Sequence, residues 1–521
     1  VSSEHASNGE TSSGRLRGVG LGPGDPELVT VKAARLIGEA DVIAYHSARH
    51  GRSIARSVAE PYLRSGQAEE ALVYPVTTET TNHPGGYQGA IDEFYEQCAE
   101  RLAVHLRAGR EVVLLCEGDP FFYGSYMHMH KRLSGRFEVE VVPGITSISG
   151  ASAVLGRPLA ERDETLTVLP GTLDPDVLAE RLATTDAAAV LKLGRTFDGV
   201  HEAFEKAGCL DQAFYVERAT TDRQRTLPLA EVDPDSVPYF SLALLPSPVN
   251  AVDPAPTEDR LGKTAASTAP AAGGEVVVVG LGPAGWEWTT PEAQSALGAA
   301  DELVGYGPYL DRLPANPRQR RHPSDNRVEA ERAEFALDLA RAGSRVAVVS
   351  SGDPGVFAMA SAVLEAAAES SDVAVRVVPG LTAAQAVAGR VGAPLGHDYC
   401  VLSLSDRLKP WEAIAQRLEA AAKADLALAI YNPASRSRTW QVAAARDVLL
   451  EHRTPDTPVV IGRDVGGSEE TSRVVRLADL DPAEVDMRCL LVIGSSTTRV
   501  AEQPDGRPVV FTPRRYPATS P

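Results

Sequence analysis

Cysteine is scarce and scattered: Cys98, Cys116, Cys209, Cys400 and Cys489 are odd in number and none lies near another. Neither a disulfide framework nor a Cys-based zinc site is written into such spacing, and reduced thiols in a cytoplasmic enzyme are expected. No apolar run approaches the ~18 residues of a membrane-spanning helix. Residues 1–14 lack the basic and apolar segments of a signal peptide, so no membrane partner is expected. Basic residues are also in deficit, 51 against 70 acidic, for a formal net charge of −19. Nonspecific nucleic-acid binding depends on Lys and Arg neutralising phosphates, so no nucleic-acid partner is expected. There is no Gly-x-Ser-x-Gly elbow and no Walker loop. His46 and His50, and His128 and His130, are paired in sequence without an acidic or Cys partner at ligand spacing; ordinary surface or pocket histidines are expected, and no metal.

What the chain has is a repeat. Its 521 residues, 43% apolar and 23% charged, suffice for roughly three or four globular domains. Residues 18–23 (GVGLGP) recur at 278–283 (VVGLGP), and at the same spacing Thr30 recurs as Thr290 and Ala40-Asp41 as Ala300-Asp301. Gly118-Asp119-Pro120 recurs as Gly352-Asp353-Pro354, and Pro143-Gly144-Ile145-Thr146 as Pro379-Gly380-Leu381-Thr382. The spacing shortens between the two groups because the second copy lacks the region around residues 83–87. A period this long means whole duplicated modules, placed at 15–249 and 275–500. Residues 250–274, rich in Ala, Pro, Thr and Gly, read as a flexible linker, and 501–521 as a frayed tail. Such a tether predicts modules that fold separately and act by proximity alone.

Each module reads as α/β. Val276 to Val279 is a β-branched run of the kind buried on both faces of a sheet. Glu111 to Leu115 and Arg345 to Val349 are further strands, preceded by helices at Ile91 to Leu106 and Ala330 to Ala340. Thr290-Pro291-Glu292 predicts a helix start, Thr capping and Pro at the first position. Helices alternating with strands predict mostly parallel sheets.

Gly280-x-Gly282-x-x-Gly285 after a strand, with Asp301 about twenty residues on, matches a dinucleotide fingerprint. The first copy argues against that reading, because Pro23 lies in the loop and removes an N–H that a pyrophosphate cradle would use. The two Gly-Asp-Pro blocks follow buried strands, which places them where open α/β sheets bind ligands. A plain strand-to-helix turn explains one copy equally well; a second Pro-Gly-x-Thr turn in both halves favours a site.

Five ordered blocks in each half carry a resemblance. GLGPGDP, GDPFFYG, VVPGITS, LKLGR and VERATTDRQRT in the first half, and GLGP, SGDPGVF, VVPGLTAAQ, IYNPASRSR and VIGRDVGGSEE in the second, resemble the tetrapyrrole (corrin and porphyrin) methyltransferases. Residues 40–45, 51–53, 74–77 and 83–87 are similar to the precorrin-2 C-20 type. Residues 305–309 and 431–433 are similar to the precorrin-3B C-17 type, which also contracts the ring. The resemblance implies two tandem class III modules, each of two α/β subdomains with S-adenosylmethionine in the cleft between them, acting on precorrin-type substrates in cobalamin biosynthesis, with a homodimer as one assembly. It implies cofactor contacts at Pro23, Glu117, Gly118, Asp119, Phe122, Thr146, Ser147, Leu193 and Ala219, and at Pro283, Ser351, Gly352, Asp353, Val356, Thr382, Ala383, Asn432 and Val465. It implies a catalytic Asp25, whereas Ala284-Gly285-Trp286 departs from the pattern in the second module. Arg49, Arg52, Arg195, Arg436 and Arg438 are expected to bind substrate carboxylates. A different ring position, or one half reduced to a binding module, stays open at this level.

Overall fold

The computed structural model describes residues 13–48, 53–75, 83–161, 164–247, 274–325, 328–368, 372–407, 409–503 and 506–513. The first half opens with β1 (Arg15–Gly20), β2 (Val42–Ser47), β3 (Ala68–Val73), β4 (Val112–Cys116) and β5 (Glu138–Val142), wholly parallel in the order β3-β2-β4-β1-β5. Five further strands follow: β6 (Leu166–Pro170), β7 (Ala187–Leu191), β8 (Phe214–Glu217), β9 (Arg225–Pro228) and β10 (Ser241–Leu245).

The second half repeats the plan. β11 (Glu275–Gly280), β12 (Glu302–Tyr306), β13 (Arg320–Ser324), β14 (Arg345–Ser350) and β15 (Ala374–Val378) form a parallel sheet in the corresponding order, β13-β12-β14-β11-β15. A short β16 (Gly392–Ala393) precedes β17 (Tyr399–Ser403), β18 (Ala427–Tyr431), β19 (Pro458–Arg463), β20 (Thr471–Arg476) and β21 (Cys489–Ile493). Val276 to Val279 lie inside β11 and are buried, as a strand covered on both faces requires. Thr290 caps the helix Pro291–Ala299, accepting the Ala293 N–H at 3.1 Å. The helices at Gly86–Arg107 and Glu329–Arg341 enclose the stretches expected from sequence.

Two expectations are corrected. The C-terminal segment is not wholly frayed: β22 (Arg499–Glu502) and β23 (Pro508–Phe511) form a small sheet with β16. Val510 is buried there, and the Thr512 hydroxyl donates to the Pro394 carbonyl at 2.6 Å.

The second correction concerns the halves, which are not merely tethered. β6 and β17, the same strand of each copy, pair antiparallel at the centre of one ten-stranded sheet, β20-β19-β21-β18-β17-β6-β7-β10-β8-β9. Equivalent strands pairing in this way place a pseudo-two-fold axis through the junction. Leu166, Val168, Tyr399 and Val401 point from the two strands into one core cluster that draws on both halves. Each such side chain gains ~1.5–3 kcal/mol on full burial. The ion pairs Arg181–Asp398 (2.9 Å) and Arg417–Asp186 (2.7 Å) also cross the junction, but the partly exposed second pair is worth at most about 1 kcal/mol, and desolvation of buried Asp398 offsets the attraction in the first. Apolar burial and strand pairing therefore dominate.

Two outcomes follow for the full chain and its halves. Proteolytic cutting within 250–273 should leave fragments that co-elute on size exclusion under native conditions. A first half expressed alone exposes the β6 edge and its apolar face, and light scattering should find it self-associated. A monomeric, stable isolated half would contradict the shared sheet.

Candidate functional site

The repeated glycines meet at one corner in each half. β1, β4 and β5 end side by side, and a Cβ on Gly20 would lie 2.5 Å from the Gly144 nitrogen and 2.7 Å from the Gly118 oxygen. Gly280, Gly380 and Gly352 make the same corner in the second half, at 2.7 and 2.9 Å. Gly22 and Gly118 exchange backbone hydrogen bonds (3.3 and 2.8 Å), as do Gly282 and Gly352 (3.2 and 2.8 Å). Only glycine lets three strand ends approach this closely.

The Gly-Asp-Pro aspartates lock the corner. Asp119 accepts the N–H groups of Phe121 (2.9 Å) and Gly144 (3.0 Å), one on each carboxylate oxygen. Asp353 accepts those of Gly355 (2.8 Å) and Gly380 (3.1 Å). Each joins the loops after two strands, β4 and β5 or β14 and β15, that flank the first strand of the sheet. Burial pushes the Asp119 carboxyl up to about 7 and that of Asp353 up to about 6, against the pull of those backbone donors. Thr146 and Thr382 cap the helices Ser147–Leu155 and Ala383–Val391, accepting from Ser149 (3.5 Å) and Gln385 (3.3 Å). Ser147 and Ala383 begin those helices beside the corner. Glu117, exposed at the tip of β4, accepts the Ala55 N–H at 3.1 Å, and its counterpart Ser351 accepts from Arg312 at 3.1 Å.

The opposite wall comes from the second subdomain. Leu193 and Ala219 are buried beside Lys192 (φ 64°) and Arg218 (φ 45°), immediately after β7 and β8. In the second half Asn432 (φ 47°) follows β18, and Val465, buried, follows Asp464 (φ 51°) after β19. Tyr123 (φ 53°) and Phe357 (φ 51°) form a third matched pair, adjoining the Gly-Asp-Pro loops that carry buried Phe122 and Val356. Left-handed backbone at non-glycine residues is costly and concentrates at functional sites. Three such pairs at equivalent positions mark the same cleft twice. Phe122, Leu193 and Ala219 are expected from sequence, but the left-handed neighbours Tyr123, Lys192 and Arg218 are not, since nothing in their side chains announces their backbone angles.

The GPGDP loop closes the first cleft. Pro23 lies against Gly150, where a Cβ would be 2.7 Å from it. The Asp25 N–H donates to the Thr220 hydroxyl at 3.1 Å, tying the two subdomains, and its carboxylate caps the short helix Pro26–Leu28 through the Glu27 N–H at 2.8 Å. In the second half Gly285 takes the capping position without a side-chain bond. There, Trp288 packs on Gly466 and carries the Arg390 guanidinium 5.0 Å above its ring. An apolar and cation–π contact thus stands where the first half has an Asp–Thr hydrogen bond. Arg312 donates to the Pro283 carbonyl at 3.3 Å and was also missed from sequence.

The arginines expected at the substrate divide. Arg49 and Arg52 lie outside the described residues. Arg195 and Arg436 are exposed. Arg438 is half-buried and braces its own loop, donating to the carbonyls of Asn432 (2.8 Å) and Leu404 (3.3 Å). Among the histidines, His50 lies outside the described residues; His46 stacks on Tyr74 at 5.4 Å, His128 stacks on Tyr95 at 4.0 Å, and His130 is edge-on to Phe121.

Replacing Asp119 by Asn sets an NH2 group against a backbone donor and should cost ~1–3 kcal/mol where the parent carboxyl is protonated. Because its folded pKa lies above the unfolded value near 3.8, the parent's contribution is fully present below that value and is lost as pH rises to about 7. The deficit of Asp119→Asn in denaturation midpoint should therefore shrink from pH 5 to pH 8. A deficit that grows over this range would contradict the assignment.

Comparison with known proteins agrees with the duplicated architecture. The family model "Tetrapyrrole (Corrin/Porphyrin) Methylases" matches residues 15–233 and again 275–481. The chain is 61% identical over 508 residues, 97% of this chain and 96% of the relative, to "Cobalamin biosynthesis protein CobIJ" of Mycobacterium tuberculosis (strain ATCC 25618 / H37Rv). It is 52% identical over 234 residues to "Precorrin-2 C(20)-methyltransferase" of Sinorhizobium sp, covering 45% of this chain and 95% of that protein. It is 48% identical over 252 residues to "Precorrin-3B C(17)-methyltransferase" of Sinorhizobium sp, covering 47% of this chain and 99% of that protein. Among solved structures, that of "the methyltransferase CobJ" is similar at 44% identity with a TM-score of 0.44, covering 46% of this chain and all of that one. With two matched segments and a full-length relative, the chain belongs to the tetrapyrrole (corrin/porphyrin) methylase family, which it carries twice over.

Proposed function

We propose that the chain is a bifunctional S-adenosylmethionine-dependent methyltransferase of cobalamin biosynthesis. The module at 15–249 methylates a precorrin-type ring at C-20. The module at 275–500 methylates at C-17 with ring contraction. The observation that carries this reading is the likeness of the whole chain to one cobalamin-biosynthesis protein, together with the likeness of single-activity methyltransferases of the two kinds. Described helices include none long and apolar enough to cross a membrane.

The cleft suits the donor. Gly118 (φ 64°) and Gly352 (φ 70°) would each direct a Cβ into open space, whose nearest atoms are the Ile145 oxygen at 3.9 Å in one half and the Leu381 oxygen and Ala383 nitrogen at 3.8 and 3.9 Å in the other. A side chain there would fill a recess lined by backbone polar groups and by the first residues of a helix. When bound, S-adenosylmethionine supplies an electrophilic methyl group on a sulfonium. Buried Phe122, Leu193 and Ala219, and Val356 and Val465, exclude water from the recess. Backbone carbonyls at the strand ends would offset the positive charge of the bound donor without reorganisation. Enamine-like carbons of a reduced tetrapyrrole are already nucleophilic, so alignment is the main task, worth up to ~7–11 kcal/mol. Asp25 in the first module would orient the loop over the cleft. Arg49, Arg52, Arg195, Arg436 and Arg438 would bind ring carboxylates at the mouths, with Arg312 beside the second.

Calorimetry should give two S-adenosylmethionine sites per chain. Ala219→Phe, which adds a ring to the first cleft, should leave one. Mass spectrometry of the product from a precorrin-2-type substrate, with any intervening oxygenation supplied, should find one methyl group added by each module. A single site in the parent, or a product methylated once, would mean that one module is degenerate.

A further inference from the structure

Tyr123 lies where three contacts converge. It adjoins the Gly118–Phe122 loop, in left-handed backbone. The Lys192 ammonium, itself on a left-handed residue of the facing subdomain, stands 4.4 Å over its ring. Its hydroxyl donates to Oδ1 of Asp398 at 3.4 Å. Asp398 belongs to the other half of the chain, one residue before β17.

Asp398 is a firm anchor. It is 5% exposed, and its Oδ2 accepts from Arg181 of the first half at 2.9 Å. The next residue, Tyr399, is edge-on to Phe122 with ring centres 5.8 Å apart. The loop proposed to line the first methyl-donor cleft is thus gripped at two successive residues by the second module.

The pseudo-two-fold axis makes the reverse grip, but with different chemistry. Phe357, in Tyr123's place, has no hydroxyl. Its N–H donates to the Ala160 carbonyl at 3.2 Å, and the Gly355 carbonyl accepts from Leu159 (3.2 Å) and Ala160 (3.3 Å). Across the module boundary, backbone bonds hold the second loop, whereas side-chain contacts that can be removed singly hold the first.

We propose that Asp398 is a positioning residue for the first methylation, acting across the module boundary through Tyr123 to keep the Gly118–Phe122 loop in its donor-binding shape. The inference rests on the reading that this loop lines the first cleft. It makes one module's donor affinity depend on a side chain of the module that does not perform the reaction.

The test uses the full chain with each methylation assayed on its own substrate. Asp398→Asn and Tyr123→Phe should each raise the KM for S-adenosylmethionine in the first methylation by ~3–10-fold, the size of one hydrogen bond. In both variants kcat of that step should stay within about twofold, and the second methylation should be unaltered. The double variant should be no worse than the more affected single one, because both act through one contact. An effect confined to the second methylation, an equal loss of kcat in both steps, or a Tyr123→Phe variant indistinguishable from the parent would overturn the proposal. Ala219→Phe separates the two readings. If it blocks donor binding while Asp398→Asn and Tyr123→Phe bind as the parent does, the cleft stands and the cross-module grip falls. If it leaves two intact sites, the cleft assignment itself has failed.

Discussion

Antiparallel pairing of β6 with β17 closes the two halves into one ten-stranded sheet. Both strands are buried on both faces, and an unpaired buried strand would leave a row of backbone N–H and C=O groups unsatisfied. Joining the two equivalent edges meets that need for both copies at once. It also fixes where everything else sits: the helices Ser147–Leu155 and Ala383–Val391, which begin at the two proposed clefts, contribute to the same core cluster, and each Gly-Asp-Pro loop comes into contact with the opposite half.

Within each half the governing feature is the glycine corner. Three parallel strand ends converge more closely than any side chain would allow, and one buried aspartate ties the convergence together through backbone donors. Each oxygen of that aspartate accepts one backbone N–H, which shapes the turn at Gly118 and leaves each oxygen able to accept a further donor. The surface proposed to face the donor is largely backbone and buried apolar side chain, which suits a reaction governed by alignment.

The duplication is close in backbone and divergent in chemistry. The Asp25–Thr220 link of the first half is replaced by Trp288 against Gly466, and Glu117 on a helix N-terminus by Ser351 under Arg312. In each case the geometric task is unchanged while a polar contact is exchanged for another kind.

The repeat, the α/β class, the cap at Thr290 and the strand at Val276 to Val279 were legible in residue order, because they rest on spacing, local capping and β-branched runs that leave a direct mark there. Residue order also located both glycine corners, since the glycines and aspartates that build them recur at matched positions in the two halves. It did not determine that the halves are one body. The edge strands β6 and β17 have the same composition as interior strands, so nothing local distinguishes an edge that will be covered, and the Pro/Ala-rich linker suggested independence. The left-handed residues Tyr123, Lys192, Arg218 and Asp464 were equally hidden, because their backbone angles are imposed by the surrounding fold and not by their side chains. The reach of Asp398 into the opposite module was decided only by tertiary structure: it joins residues 275 positions apart in the chain, and no pattern along the sequence carries a contact whose partners meet only after two sheets have merged.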